Sequence, residues 1–141
     1  MRTSRRLFVL SAVLLALTFS TVRAADSKNV EGSPQAKAYR ALLKAVAAGD
    51  FDGYKKSMTK EAQAGIDKQI KESGMDPKKG MEFLKMMSPT DLKLTGLKVD
   101  GKKATLDATG KVGGEMNKGT ISLEEEAGQW KVANQSWSNK P

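Results

Sequence analysis

Residues 91–109 read DLKLTGLKVDGKKATLDAT, a stretch that indicates two strands joined by a tight turn. Apolar and polar residues alternate on each side of Asp100-Gly101, a dipeptide that favours a two-residue hairpin turn. In the first strand the alternation changes phase at Gly96, where the extra residue of a β-bulge would bring all its apolar side chains to one face. Those apolar residues are Leu92, Leu94, Leu97 and Val99.

The residues that follow predict a second hairpin. A third strand is expected over residues 120–126, and a fourth follows the turn at Gly128. Within the fourth strand, Trp130 and Val132 share one face, whereas Trp137 has the opposite parity. Because two of the four strands change phase, we predict a curved antiparallel sheet.

The chain before the sheet has helical spacing, with apolar residues recurring every three or four positions over residues 33–88. The first helix has Ser33 as its N-cap, Pro34 at its first helical position and Gly49 as a left-handed C-cap. Each of three shorter helices has a capping residue at its start, namely Asp50, Thr59 and Asp76. The predicted fold is therefore α+β, with N-terminal helices packed on a curved four-stranded antiparallel sheet.

The first 24 residues have the order of a bacterial export signal. Three arginines precede an uncharged run over residues 7–22, and the small Ala24 follows as a cleavage site. The run of 16 residues is shorter than the roughly 20 that span a bilayer, so we predict a signal peptide, cleaved after Ala24, and no membrane span afterwards. The mature protein is expected in the periplasm or secreted, and paired Arg5 and Arg6 leave the twin-arginine and general secretion routes both open.

The remainder of the chain is expected to be a short leader followed by one domain. Residues 25–32 are polar and unpatterned, which predicts a flexible leader, and residues 33–141 form the single α+β domain. Four of the 24 basic residues and none of the 16 acidic ones precede Ala25, so the net charge falls from +8 to +4 on cleavage. The remaining lysines are scattered, whereas binding to nucleic acid needs clustered positive charge, so nucleic acid is not an expected partner.

The absence of His and Cys from the chain excludes several kinds of site. Ser-His-Asp and Cys-His catalysis, Cys/His zinc sites and disulfides all need an imidazole or a thiol. Asp107 has the opposite parity to Leu106 and is expected to face solvent, and residues 124–126, three glutamates, are interpreted as a solvated strand end. We therefore predict no catalytic residue, no metal site and no cofactor.

Methionines and aromatic residues are interpreted first as core residues. Met58, Met81 and Met87 fall on apolar helix faces, where a flexible thioether fills gaps in packing, and this interpretation is preferred to copper binding. The aromatic residues assigned to the core are Tyr39, Phe51, Tyr54, Phe83, Trp130 and Trp137.

Two short motifs carry a resemblance to a known superfamily. The phrase AGDF at residues 48–51 and the closing GQWKV at residues 128–132, with Trp137 after it, resemble the cone-shaped nuclear transport factor 2-like superfamily, and in particular its small exported bacterial domains of unknown function. The resemblance spans residues 33–138 and implies a pocket between the concave sheet and the first helix. One departure is that such folds usually have an early strand among their helices, and none is predicted over residues 49–88.

In such a pocket, three residues are candidates for ligand binding. Tyr39, Tyr54 and Trp137 each combine an apolar body with a polar tip. The expected function is an exported non-catalytic binding domain for a small apolar molecule or an envelope protein. The alternatives are an envelope protein-interaction or inhibitor-like factor and a cone-fold enzyme. A ligand binder needs an open pocket, an interaction protein an exposed apolar patch of a few hundred Å², and an enzyme a buried ionisable group.

Overall fold

A computed structural model describes residues 23–25 and 29–140 of the chain. Most of the predicted signal peptide, residues 1–22, lies outside the described residues. Arg23–Ala25 form a short strand, β1, so the predicted cleavage point after Ala24 falls within this strand. Among the described residues, no helix has the length and apolar character needed to cross a membrane.

Four helices form the first half of the domain: α1 (Pro34–Ala48), α2 (Phe51–Lys56), α3 (Lys60–Ser73) and α4 (Pro77–Met87). All four predicted N-caps are confirmed, because each accepts a backbone N–H from two or three residues ahead with its side chain, namely Ser33, Asp50, Thr59 and Asp76. Gly49 adopts a left-handed conformation with φ +68 and ends α1 as predicted.

Four strands form the second half: β2 (Thr90–Asp100), β3 (Lys103–Val112), β4 (Glu115–Glu126) and β5 (Gln129–Ser138). The sheet is antiparallel throughout in the order β1-β2-β3-β4-β5, and β1 pairs with only three residues of β2. The predicted α+β class is confirmed. The prediction for β4 was wrong at its start, which lies five residues before Thr120, because Gly113 and Gly114 both have positive φ and make a tight turn directly after β3.

Both predicted phase changes are β-bulges. In β2 the register with β3 shifts between Leu94 and Gly96, which leaves Thr95 as the extra residue. In β5 the register with β4 shifts so that Ala133 is the extra residue, and Trp137 then pairs with Gly119. Because Gly119 has the same parity as the buried residues of β4, the bulge returns Trp137 to the inner face of the sheet.

The core lies between α1 and the inner face of the sheet. Its largest fully buried side chains are Tyr39, Leu42, Leu106, Ile121, Leu123, Val30 and Val132. The prediction of a flexible leader over residues 25–32 was wrong for Val30, because its side chain is 0% exposed. Its carbonyl accepts hydrogen bonds from the Ser33 amide at 3.1 Å and the Ser33 hydroxyl at 2.6 Å, so the packed domain includes the turn before α1.

An ion pair also connects this turn to α1 and to the sheet. Glu31 forms a two-pronged pair with Arg40, at 2.7 and 2.9 Å, and one of its oxygens accepts the Leu94 amide at 3.4 Å. The hydrogen bond from Arg40 lowers the pKa of Glu31. The pair is about half exposed, so it orients the turn more than it stabilises the fold.

The segment between α2 and α3 covers the free edge of β5. Met58 forms an isolated parallel bridge with Val132, the Thr59 amide donates to the Val132 carbonyl at 3.0 Å, and the Val132 amide donates to the Ser57 carbonyl at 2.9 Å. This bridge is the only β pairing within residues 49–88, all of which the structure describes.

Candidate functional site

Two of the three candidate ligand-binding residues meet at one partly buried amide, that of Gln135. The Tyr39 hydroxyl on α1 donates to Gln135 Oε1 on β5 at 2.8 Å. Trp137 Nε1 donates to the same oxygen at 3.4 Å. Gln135 was not predicted, because its side chain reaches the inner face only through the bulge at Ala133. The opposite parity of Trp137 indicates that the phase of β5 changes, but no glycine marks the residue at which it does.

Tyr39 is the buried end of this cluster, whereas Gln135 and Trp137 are partly exposed. Tyr39 is 0% exposed, and burial raises its pKa to about 12. Trp137 lies flat over Gly119, where an added Cβ would come within 2.8 Å of three indole carbons. Tyr39 is thus placed in the core and not on a wall open to a ligand, since its hydroxyl has its partner and the space around it is filled.

Removing the Tyr39 hydroxyl should lower the stability of the folded protein and leave ligand binding unchanged. In Tyr39→Phe, Gln135 Oε1 keeps only the longer bond from Trp137, so we expect a loss of about 1–2 kcal/mol in the free energy of unfolding, measured by urea denaturation. Tyr54→Phe is the control, because the Tyr54 hydroxyl has no hydrogen-bond partner in the described part of the chain. Equal urea midpoints for the two variants would contradict this role of Tyr39.

Tyr54 belongs to a second site, an open cleft of about 230 Å³ between α2, α3 and α4. Tyr54 and Phe51 come from α2, Ile66 and Ile70 from α3, and Phe83 with its neighbours from α4. Tyr54 is 7% exposed, and burial raises its pKa. None of the side chains that line this cleft is charged. We call it the α3–α4 cleft.

Helix α3 shows that the cleft is incompletely filled by the chain itself. None of its residues is buried, although Ile66 and Ile70 repeat at a spacing of four and line the cleft. An amphipathic helix draws most of its stability from burial of its apolar face. The apolar face of α3 therefore remains partly available to another molecule.

Helix α4 and Met75, which lies just before it, expose large apolar side chains. The exposed fractions are 59% for Phe83, 71% for Met86, 48% for Met87 and 47% for Met75. We call these four residues the α4 patch. Taking about 200 Å² for each fully exposed side chain, they present roughly 450 Å² of apolar surface. A patch of this size on a monomer commonly marks an interaction site.

The predictions that Phe83 and Met87 lie in the core were wrong, because both belong to the exposed α4 patch. Of the three methionines assigned to the core, Met81 is buried and Met58 partly buried, but Met87 is about half exposed. The reason is that α4 has two apolar stripes. Met81 and Leu84 face the core, whereas Phe83, Met86 and Met87 repeat at i, i+3 and i+4 on the outward side.

Two of the acidic positions considered above, Asp107 and Glu126, lie on strands of the sheet. Asp107 lies on the outer face of the sheet, as its parity predicts, and it packs over Gly96. Residues 124–126 are the end of β4, as interpreted, and the carboxylate of Glu126 also accepts the Lys60 amide at 3.1 and 3.2 Å at the start of α3. Among the described residues, no group of three or more acidic side chains is placed to hold a metal ion.

Comparison with protein-family models, with curated proteins and with solved structures found no match to this chain. The resemblance to the nuclear transport factor 2-like superfamily therefore rests on the sequence motifs alone and stays a prediction.

Proposed function

We propose that this protein is an exported, non-catalytic binding domain that holds an apolar segment of another envelope protein against the α3–α4 cleft and the α4 patch. The observation that carries this proposal is an open apolar cleft lined in part by the exposed Phe83 and Met75, next to a helix that also exposes Met86 and Met87. Exposed apolar side chains are costly in water and are retained where a partner covers them.

A protein segment suits this surface better than an enclosed small molecule. The interior between α1 and the sheet is filled by Tyr39, Trp137 and their neighbours. The cleft, at about 230 Å³, is below the roughly 300–1,000 Å³ of pockets that enclose small ligands. With roughly 450 Å² in the patch, against about 800 Å² on each side of a standard interface, the contact is of the transient kind.

The chemistry of the described residues favours binding over turnover. No carboxylate or ammonium group is buried among them, and the buried polar side chains, Gln35 and Thr59, do not ionise. General acid–base catalysis commonly relies on an ionisable group whose pKa has been moved by burial. The buried hydroxyl of Tyr39, with a pKa of about 12, is protonated at neutral pH and already bonded to Gln135.

The binding surface can be tested with an apolar fluorescent dye such as anilinonaphthalene sulfonate. The full-length chain is expressed with its N-terminal segment, and the exported product is titrated with the dye. We expect saturable fluorescence that falls by at least about half in Ile70→Asp, because a charge in the wall of the cleft opposes burial of an apolar ring.

Met116→Asp provides a matched control, since Met116 is an apolar residue 58% exposed on β4 and does not line the cleft. Its dye binding should equal that of the unchanged protein. Equal dye binding by all three proteins would contradict the proposed surface. Native mass spectrometry of the exported protein separates the two ligand classes, because a bound small molecule adds a few hundred daltons and a protein segment adds much more.

A further inference from the structure

A surface cavity of about 770 Å³ lies where the end of α2, the start of α3 and the turn between β4 and β5 meet. It shares no lining residue with the α3–α4 cleft. Its volume falls within the roughly 300–1,000 Å³ of pockets that hold small ligands. This cavity is therefore large enough to take a small molecule.

Three lysines from three separate elements line this cavity, which we call the lysine cavity. Lys56 ends α2, Lys60 begins α3, and Lys131 lies on β5. None of the three forms a salt bridge within the described residues. Glu126 is the only acidic side chain among the described residues that line the cavity, so three positive charges against one negative charge leave its walls with a net charge of +2. The fold thus brings together lysines that are scattered in the sequence.

Hydrogen bonds to the backbone hold two of the charged groups in place. Lys131 Nζ donates to the Lys56 carbonyl at 2.5 Å, and this contact uses one of its three N–H donors. The Glu126 carboxylate accepts the Lys60 amide at 3.1 and 3.2 Å, so its negative charge is turned towards the first turn of α3. The ammonium group of Lys131 therefore keeps two donors for a ligand.

We propose that the lysine cavity binds a small phosphomonoester, whose phosphate group is held by the ammonium groups of Lys56, Lys60 and Lys131. A phosphomonoester carries a charge of about −1.5 to −2 at neutral pH and three terminal oxygens that accept hydrogen bonds. This charge offsets the net charge of the walls, and the three oxygens equal the lysines in number. No arginine is among the described residues that line the cavity, so the planar fork that best matches a carboxylate is missing there.

Met58 and Ala127 add apolar surface beside the lysines. Inorganic phosphate has no apolar part to bury, whereas the organic group of an ester can lie against this surface. An aromatic ester, phenyl phosphate, should therefore bind at least about threefold more tightly than inorganic phosphate.

Isothermal titration calorimetry of the exported product of the full-length chain with phenyl phosphate tests this site. We expect saturable binding with a dissociation constant on the order of 0.1–1 mM, and weaker binding at higher salt, because the main attraction is between charges. Lys60→Gln and Lys131→Gln should each weaken binding by at least about fivefold, since each removes one of the three ammonium groups. Far-ultraviolet circular dichroism shows whether each variant keeps its fold.

Lys68→Gln is the matched control. Lys68 lies on the same helix as Lys60, has a side chain that is 75% exposed, and does not line the cavity. This substitution changes the net charge by the same amount, so its binding should equal that of the unchanged protein. A loss equal to that of Lys60→Gln would overturn the site, because net charge alone would then explain the binding.

Glu126→Gln provides a test of opposite sign. The amide oxygen of glutamine can still accept the Lys60 amide, while the negative charge of the walls is removed. Binding of phenyl phosphate should therefore become about two- to fivefold tighter, an effect that a purely structural role of Glu126 would not produce. Unchanged or weaker binding in a folded variant would contradict an anion site in this cavity.

Vesicles that contain phosphatidic acid distinguish the two sources of a phosphomonoester. Vesicle binding that is lost in Lys60→Gln would support the site and identify a lipid headgroup as its ligand. Binding of phenyl phosphate without vesicle binding would support a soluble ester.

The remaining outcomes separate this inference from the proposed function. Ile70→Asp should bind phenyl phosphate as the unchanged protein does, since Ile70 lines the other cleft. Binding that is lost in Ile70→Asp and kept in Lys60→Gln would overturn the lysine cavity and leave the proposed function standing, because the phenyl ring would then occupy the α3–α4 cleft. Absence of saturable binding to the ester and to the vesicles up to about 10 mM phosphate would also overturn it.

Discussion

Replacing Leu106 by alanine should lower the free energy of unfolding by about 2–5 kcal/mol. Leu106 lies on β3 in the middle of the sheet, is 0% exposed, and pairs with Leu97 on one side and Ile121 on the other. Shortening it leaves a cavity that the paired strands cannot close, so the loss includes contacts as well as hydrophobic transfer. Small domains are stable by about 5–15 kcal/mol, so this is a large fraction of the total.

Thr105→Ala is the matched control, because Thr105 is the preceding residue on the same strand and points to the outer face of the sheet. Its substitution should change stability by less than about 1 kcal/mol. Urea denaturation of both variants gives the comparison through their midpoints. Midpoints that coincide would mean that the inner and outer faces of β3 are assigned the wrong way round.

The second large effect is expected at alkaline pH and depends on Tyr39. Burial raises its pKa from 10.0 to about 12, because the phenolate would lose its hydration in the core. The folded state therefore holds the proton more tightly than the unfolded state. The resulting stabilisation is complete below pH 10 and is lost as the pH rises from 10 to about 12, by about 2–3 kcal/mol.

Tyr39→Phe isolates this contribution, since every other ionisable group, including the second buried tyrosine, Tyr54, is the same in both proteins. Below pH 10 the unchanged protein should be more stable, because it keeps the hydrogen bond to Gln135. Near pH 12 the order should reverse, with the phenylalanine variant more stable. Urea denaturation at several pH values from about 8 to 12 measures the difference, and two parallel stability curves would refute a raised pKa at Tyr39.

Features that depend on neighbouring residues in the chain could be predicted from the sequence. The N-caps Ser33, Asp50, Thr59 and Asp76 are confirmed because a capping side chain bonds an amide only two or three residues away. The bulge at Gly96 and the hairpin after Asp100 are confirmed for a similar reason. Helical spacing of apolar residues over residues 33–88 and their alternation in the strands that follow were together enough to predict the α+β class.

Features that depend on what covers a surface could not be predicted in the same way. The periodicity of α4 gives two apolar stripes, and nothing local distinguishes the covered stripe of Met81 and Leu84 from the exposed stripe of Phe83 and Met86. Val30 shows the opposite error, since a single apolar residue in a polar segment has no periodicity, yet it is fully buried.

The candidate site shows the same division between local and tertiary information. The sequence alone identified Tyr39, Tyr54 and Trp137 as aromatic residues with polar tips, but only the tertiary structure separates Tyr54 from the other two. Tyr39 and Trp137 meet at Gln135 because the bulge at Ala133 turns both β5 side chains inward. Tyr54 lies instead under the α3–α4 cleft. Spacing along a chain determines which side chains share a face, whereas the packing of elements distant in sequence decides whether that face is buried, and against what.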